Sequence, residues 1–475
     1  MNKKLTKIVA TISDKNCDVD FLKKLYDAGM NVVRLNTAHQ NYDDTLKVIN
    51  NVKKVSDKIA LLLDTKGPEI RTTKADVDIP VKNGDKIFIK GDPDTNTNKE
   101  LICVSYSNFV NDVPVGCNIL IDDGEVELSV IEKDNDKLLC EVQNDGVIQG
   151  RKSVNIPSVH IKLPSLSEKD KGYINFAIEN DIDFIAHSFV RRKEDILAIK
   201  DILKAKNADI KIISKIENQE GVDNIDEIID HSAGIMIARG DLAIEIPRER
   251  IPIIQKLIIN KCIDKRKQVI TATQMLHTMI KNPRPTRAEV SDVANAIYDG
   301  TDAIMLSGET AYGKYPLESV QTMKKIAVEI ENNNVPFKET QTKNLSTEVS
   351  AYLAKSAVKA SIRLSSEAIV ADTFSGRTIR NLAGFRGNKP IYALCYSKKT
   401  VRELALSYGV YAYYMEPRNT ADDFLQHALS KLIDNKCLTK DSLIVVLAGN
   451  FGRSQGATFV EISNVEHLIN RHLNL

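Results

Sequence analysis

The chain has 475 residues, too many for one ordinary domain, and its 43% hydrophobic and 27% charged content is that of a soluble globular protein. A formal net charge of +1 supplies no global field for nucleic acid or an anionic membrane, so neither is expected as a partner. The start Met1-Asn2-Lys3-Lys4 precedes an apolar run too short for a signal peptide, no stretch nears the ~18 apolar residues of a membrane span, and the seven scattered Cys form no C-x-x-C, so a cytoplasmic chain with reduced thiols is expected.

Strand-like runs at residues 7–12, 31–36 and 59–65 are separated by helical patterns at 19–29 and 42–54. Further runs fall at 184–190, 211–217, 234–241, 268–275 and 303–309, with helical segments such as 193–206 and 252–267 between them. Strand, helix and strand repeated in this way predict a parallel sheet with right-handed crossovers, and eight runs favour a closed (β/α)8 TIM barrel. The third run is not followed directly by its helix. Short strand-like pieces at 81–90, 101–104, 118–121, 126–132 and 138–142, punctuated by Gly, Asp, Asn and Pro, predict a small β-barrel domain inserted over residues 70–164. An insertion at the C-terminal face lies over the active site, so a lid is expected. The helix resumes at Ser167, with Glu168 and Asp170 in its first turn. The catalytic barrel is therefore expected over 1–69 and 165–335. A polar linker at 333–344 leads to a separate C-terminal α/β domain over 345–475, with strands at 368–373, 390–396, 410–415, 443–449 and 458–462.

Several of these runs end in polar groups. Lys215 and Glu217 close the fifth, and Gly240 and Asp241 close the sixth. Two carboxylates at neighbouring strand ends suit Mg2+ or Mn2+, hard ions that take oxygen ligands and keep waters for a substrate. Salt bridges to Lys215 or Arg239 are the alternative reading. Lys215 offers a fixed positive charge to a developing anion, and Gly240 permits close backbone approach. Thr273 ends the seventh run, where it either relays a proton or simply packs. Arg34 and Asn36 end the second, and Asp64, Thr65 and Lys66 end the third. In the last domain Thr373, Ser375, Gly376, Arg377 and Thr378 stand between a strand and a helix, the chemistry of a phosphate cradle or of a plain helix cap.

Taken together, Lys215-Ile216-Glu217-Asn218, Ala238-Arg239-Gly240-Asp241, Arg287-Ala288-Glu289 and Met305-Leu306-Ser307-Gly308-Glu309-Thr310 make the chain resemble pyruvate kinase from Thr6 onward. The resemblance implies transfer of a phosphoryl group from phosphoenolpyruvate to ADP, the last step of glycolysis. By similarity, Glu217 and Asp241 bind Mg2+ or Mn2+, and Lys215, Thr273 and Arg34 are catalytic. Gly240, Asp241, Thr273 and Lys215 contact the substrate, while Asn36, His39, Arg71 and Lys152 contact nucleotide and phosphates. Asn36, Asp64 and Thr65 match the family's K+ site, and Glu69 stands where K+-dependent members carry Glu. The family's usual Arg-x-Asn-Phe-Ser-His-Gly is here Arg34-Leu35-Asn36-Thr37-Ala38-His39-Gln40, so Ala38 removes one oxygen ligand and altered K+ binding is expected. Ser13-Asp14 replaces a usual Gly-Pro, and Ser153 a usual Gly. The resemblance further implies a homotetramer and a phosphorylated sugar effector held at 373–378, with a second effector loop at 449–453. It also leads us to expect no extra C-terminal domain of the kind some bacterial members carry.

Two other classes compete. Another Mg2+-dependent barrel acting on phosphoenolpyruvate or pyruvate, a lyase or mutase, lacks segments like 64–71 and 287–309. A non-catalytic metabolite sensor draws support only from Ala38 and Gln40. Pyruvate formation dependent on ADP and Mg2+ separates all three.

Overall fold

A computed structural model describes residues 3–157, 159, 161–333, 348–418, 420–449 and 456–470. Residues 334–344 of the expected linker and 450–453 of the second effector loop lie outside the described residues.

Eight parallel strands close into a barrel in chain order: Lys7–Thr11, Val32–Asn36, Ala60–Asp64, Phe184–His187, Lys211–Ile216, Gly234–Ala238, Gln268–Ala272 and Ala303–Leu306. Strands covered on both faces read as unbroken apolar runs, and this is why the runs are visible in the sequence. Their side chains still alternate. Val9, Val32, Leu62, Phe184, Ile213, Met236 and Ile270 fill the barrel interior, while Ile8, Val33, Leu63, Ile185, Ile212 and Ile235 face the helices. Seven of the eight strands stop short of their predicted ends, and the second ends at Asn36 as expected. The sixth run, expected as strand to Asp241, leaves the sheet after Ala238, and Arg239–Glu245 is helix. The seventh ends at Ala272, where Thr273 and Gln274 turn through left-handed backbone at φ 74° and 55°.

Helix starts follow capping chemistry. Asn41, Ser167 and Thr286 each accept from the N3 amide and are answered by Asp44, Asp170 and Glu289. The inserted segment has its own core, containing Ile89, Val104, Phe109 and Leu128, under a six-stranded and a two-stranded sheet. The single strand expected at 81–90 is two, Ile79–Val81 and Lys86–Gly91, divided by a turn at Gly84 with φ 87°. The C-terminal sheet has five strands, four parallel and the last, Phe459–Asn464, antiparallel. This last unit caps the N-terminal end of the barrel. Its Leu406 joins the barrel-interior cluster, Arg386 pairs with Asp302 at 2.6 Å, and Arg402 pairs with Asp183 at 2.8 Å. All seven Cys are free thiols, and among the described residues no helix is long and apolar enough to cross a membrane.

Candidate active site

The period-2 alternation that packs the barrel also builds its top. Counting inward positions upward from Val9, Val32, Leu62, Ala186 and Ile213 gives Thr11, Arg34, Asp64, Ser188 and Lys215. These side chains interlock. Lys215 Nζ lies 3.1 Å from Asp64 Oδ1 and 2.9 Å from Glu217 Oε1, and donates to Ser188 Oγ at 2.7 Å. Arg34 Nε donates to Asp64 Oδ2 at 2.6 Å, and its Nη1 donates to Thr11 Oγ1 at 3.0 Å. Glu217 Oε2 accepts the Phe189 amide at 2.6 Å, and Phe189 sits at φ 54° to deliver it.

Lys215, Asp64 and Glu217 are all buried. Burial opposes the Lys215 charge, but Asp64 and Glu217 overcome it and hold the ammonium above the ordinary lysine range. Burial likewise opposes ionisation of Asp64, yet Arg34 and Lys215 keep it below the usual carboxylate range. Glu217 goes the other way. Burial, with Asp241 adding repulsion, pushes it up to about 7 against the pull of Lys215. Three carboxylates thus share two cations, and the cluster is short of positive charge. Among the described residues no group of three or more His, Cys, Asp or Glu is arranged to hold a metal ion. Two carboxylates are enough for Mg2+, which binds through one or two and leaves its other positions to water and phosphate oxygens. The donor set and its charge deficit fit such an ion.

The salt-bridge reading of the sequence holds for Lys215 with Glu217 but not for Arg239 with Asp241. Arg239 instead grips Asp292 with two bonds of 2.7 Å and donates to the Thr273 carbonyl at 2.8 Å. This clamp holds the turn that keeps a β-branched Thr at positive φ, a conformation Thr seldom adopts. Gly240 is required beside it, because an added Cβ would lie 2.8 Å from Thr273 Cγ2. Gly240→Ala is therefore expected to push Thr273 aside and lower kcat/KM by about 100-fold. Thr273→Ser in the same chain removes the clashing methyl and should recover much of the loss. Steady-state kinetics of both variants check this, and equal losses in the single and double variants would contradict it.

The remaining expected residues are spread around this centre. Asn36 Oδ1 accepts the Ala38 amide at 3.1 Å, and the Thr65 carbonyl accepts from Ser188 Oγ at 2.6 Å. Ala38 and His39 are exposed. Arg71 binds Glu69 at 2.8 Å and the Arg151 carbonyl at 2.6 Å, and bridges to Ser153. Lys152 pairs with Asp122 inside the inserted domain at 2.8 Å. A cavity of about 280 Å³ opens between that domain and the barrel top, lined by Glu69, Val154, Asn155, Phe189 and Asn218. It adjoins the Lys215 cluster rather than containing it. In the C-terminal unit Thr373 Oγ1 accepts the Gly376 amide at 2.9 Å, Arg377 pairs with Glu348, Ser375 is exposed and Thr378 is half-buried. Ser188 and Asp292 are not among the residues expected from sequence. Inward parity alone could have marked Ser188.

A closed parallel barrel carrying a charged cluster at the C-terminal ends of its strands defines a barrel enzyme. Comparison with known proteins is specific. The model of the pyruvate kinase barrel domain matches residues 3–320, and that of the pyruvate kinase alpha/beta domain matches residues 352–462. The chain belongs to the pyruvate kinase family. A pyruvate kinase of Borreliella burgdorferi is 49% identical, with 99% of each chain covered, and one of Bacillus licheniformis is 44% identical over 96% of this chain and 80% of its own. The crystal structure of a pyruvate kinase from Cryptosporidium parvum matches at TM-score 0.92 and 34% identity, covering 97% of this chain and 96% of that one. The protein is a phosphotransferase that moves the phosphoryl group of phosphoenolpyruvate to ADP, giving pyruvate and ATP.

Proposed function

We propose that this chain catalyses the last step of glycolysis in the cytoplasm, with the Lys215 cluster as the seat of phosphoryl transfer. The interlocked Lys215, Asp64, Glu217 and Arg34 side chains are the observation that carries this reading. A divalent ion held by Glu217 and Asp241 supplies charge neutralisation for the transferred group. The ammonium of Lys215 has three donors, and all three are engaged by Ser188, Asp64 and Glu217. With Glu217 engaged by such an ion, one Lys215 donor would be free for a phosphoryl oxygen and then for the enolate oxygen. Arg34 adds a second positive charge nearby. First-turn amides at Gly240 and Asp241 lack helical acceptors and, with the Thr273 hydroxyl, hold the substrate carboxylate. Thr273 Oγ1 is assigned the relay of a proton to the enolate carbon. Asn36, His39, Arg71 and Lys152 are assigned to ADP, with residues 70–164 closing over it as a lid. The test is initial-rate formation of pyruvate, which should require ADP and a divalent ion together. Turnover without ADP would refute the reading.

Asn36, Asp64 and Thr65 supply amide, carboxylate and carbonyl oxygens suited to K+, with water standing where Ala38 offers only a methyl. Ala38→Ser is expected to lower the K+ concentration for half-maximal activity about fivefold, the worth of one added polar contact. A K+ titration of both proteins checks this, and superimposable curves would refute it. Residues 373–378 are proposed to hold a phosphorylated sugar effector, and a homotetramer is the proposed assembly. The Thr373 hydroxyl is already used as a loop cap, so Ser375 and Arg377 carry the effector reading. Replacing both by Ala should abolish activation by any sugar phosphate, and unchanged activation would refute it.

A further inference from the structure

A second polar cavity lies at the opposite end of the barrel, where the C-terminal unit packs on the strand starts. It measures about 540 Å³, large enough for a small phosphorylated metabolite. Six cationic side chains and two carboxylates line it. The carboxylates are engaged: Glu348 pairs with Arg377, and Glu403 lies 3.7 Å from Lys211. Arg266, Lys267 and Arg380 have no carboxylate at ion-pair distance among the described residues.

The unpaired groups here are all donors. Arg266 Nε and Nη2 and Asn381 Nδ2 are buried and have no hydrogen-bond partner. Asn381 is only 6% exposed. A buried donor without an acceptor is costly, and three converging on one cavity call for an anion or water supplied from outside the chain. Arg266 stands at φ 55°, just past the helix Ile251–Asp264, where Gly is the unstrained choice. Its guanidinium reaches over the Phe385 ring, at 5.7 Å from the centroid, toward the helix Arg377–Gly384 that carries Asn381. The donor set therefore bridges the barrel and the C-terminal unit.

We propose that this cavity binds a phosphate-class dianion, either inorganic phosphate or the phosphoryl group of a small metabolite, through Arg266 and Asn381 with Lys267 and Arg380 around them. The site is distinct from the Lys215 cluster, which lies at the other end of the barrel strands; it shares Arg377 with the proposed effector loop, whose Ser375 side chain does not line it. A ligand here ties the two units together, so its signature is linked stabilisation.

The full-length protein is melted with and without inorganic phosphate at constant ionic strength. At about a hundred times the dissociation constant the melting temperature should rise by about 3 °C. Asn381→Leu, which keeps the buried volume, and Arg266→Met should each lose more than half of that rise. Ser375→Ala should keep it, and kcat without phosphate should be unchanged in all three. If Arg266→Met does not fold, Lys267→Met gives the same reading. A larger rise with a sugar monophosphate than with phosphate identifies an organic ligand, and an equal rise identifies phosphate itself. No rise in the native protein, or an undiminished rise in Asn381→Leu, overturns the proposal.

Discussion

Lys215→Met is expected to lower kcat by about 1,000-fold or more, the scale of losing a preorganised donor from the reacting centre. The side chain is the only cation in contact with both Asp64 and Glu217 among the described residues, and it is buried in the inward layer of the barrel. Its loss acts in two ways. The positive charge that would meet the developing enolate disappears, and Glu217 keeps only the Phe189 amide as its bonded partner. Leaving a buried carboxylate unpaired costs about 3–5 kcal/mol, so the variant should also melt earlier, with part of the loss regained when a divalent ion is present. Lys215→Arg should not restore activity, because a planar guanidinium cannot reproduce three tetrahedral donors to Ser188, Asp64 and Glu217. Steady-state kinetics and thermal melts, each with and without Mg2+, check both effects. Activity within tenfold of the native enzyme would contradict the role given to Lys215.

Glu217→Gln is expected to raise the divalent-ion concentration for half-maximal activity by about 100-fold, since one of two carboxylate ligands loses its charge. The pH dependence is the sharper signature. Burial and the Asp241 charge push the Glu217 carboxyl up to about 7, so a proton competes with the cation below that pH. Divalent-ion affinity in the native protein should therefore strengthen as pH rises toward 7 and level off above it. The stability of the metal-free protein should move oppositely. Between the ordinary glutamate pKa of about 4.3 and about 7, the folded state retains a proton that the unfolded state has released, so stability falls as pH rises through that window. Glu217→Gln removes both dependences. Metal titrations and melts across pH 5–9 check them.

The barrel was legible in the sequence because strands buried on both faces leave continuous apolar runs, each followed by a helix. The site was legible for the same reason. Arg34, Asp64, Lys215 and Glu217 interrupt those runs at inward positions, where a charged side chain has no packing role. Ser188 was legible only by parity, two residues past the inward Ala186 in the expected run 184–190, because a lone serine carries no charge to mark it. The strand ends were drawn too long because polarity does not reveal where the backbone turns. Thr273, Gln274 and Phe189 turn at positive φ without a Gly to announce it. The Arg239–Asp292 clamp joins residues 53 positions apart, and spacing alone offered Asp241 as the nearer partner. The basal cavity was invisible for a related reason. Its cations come from separate segments of the barrel and of the C-terminal unit, and of them only Arg377 belongs to a motif singled out in the sequence.

The most direct test is a titration of the metal-free protein with Mn2+, following bound ion by electron paramagnetic resonance at pH 6 and pH 8. The native chain should bind at the Glu217 and Asp241 pair, about tenfold more tightly at pH 8 than at pH 6, and Glu217→Gln should bind weakly and equally at both. Equal affinity in the two proteins, or native binding indifferent to pH, would contradict the assignment of this cluster as the divalent-ion and phosphoryl-transfer site.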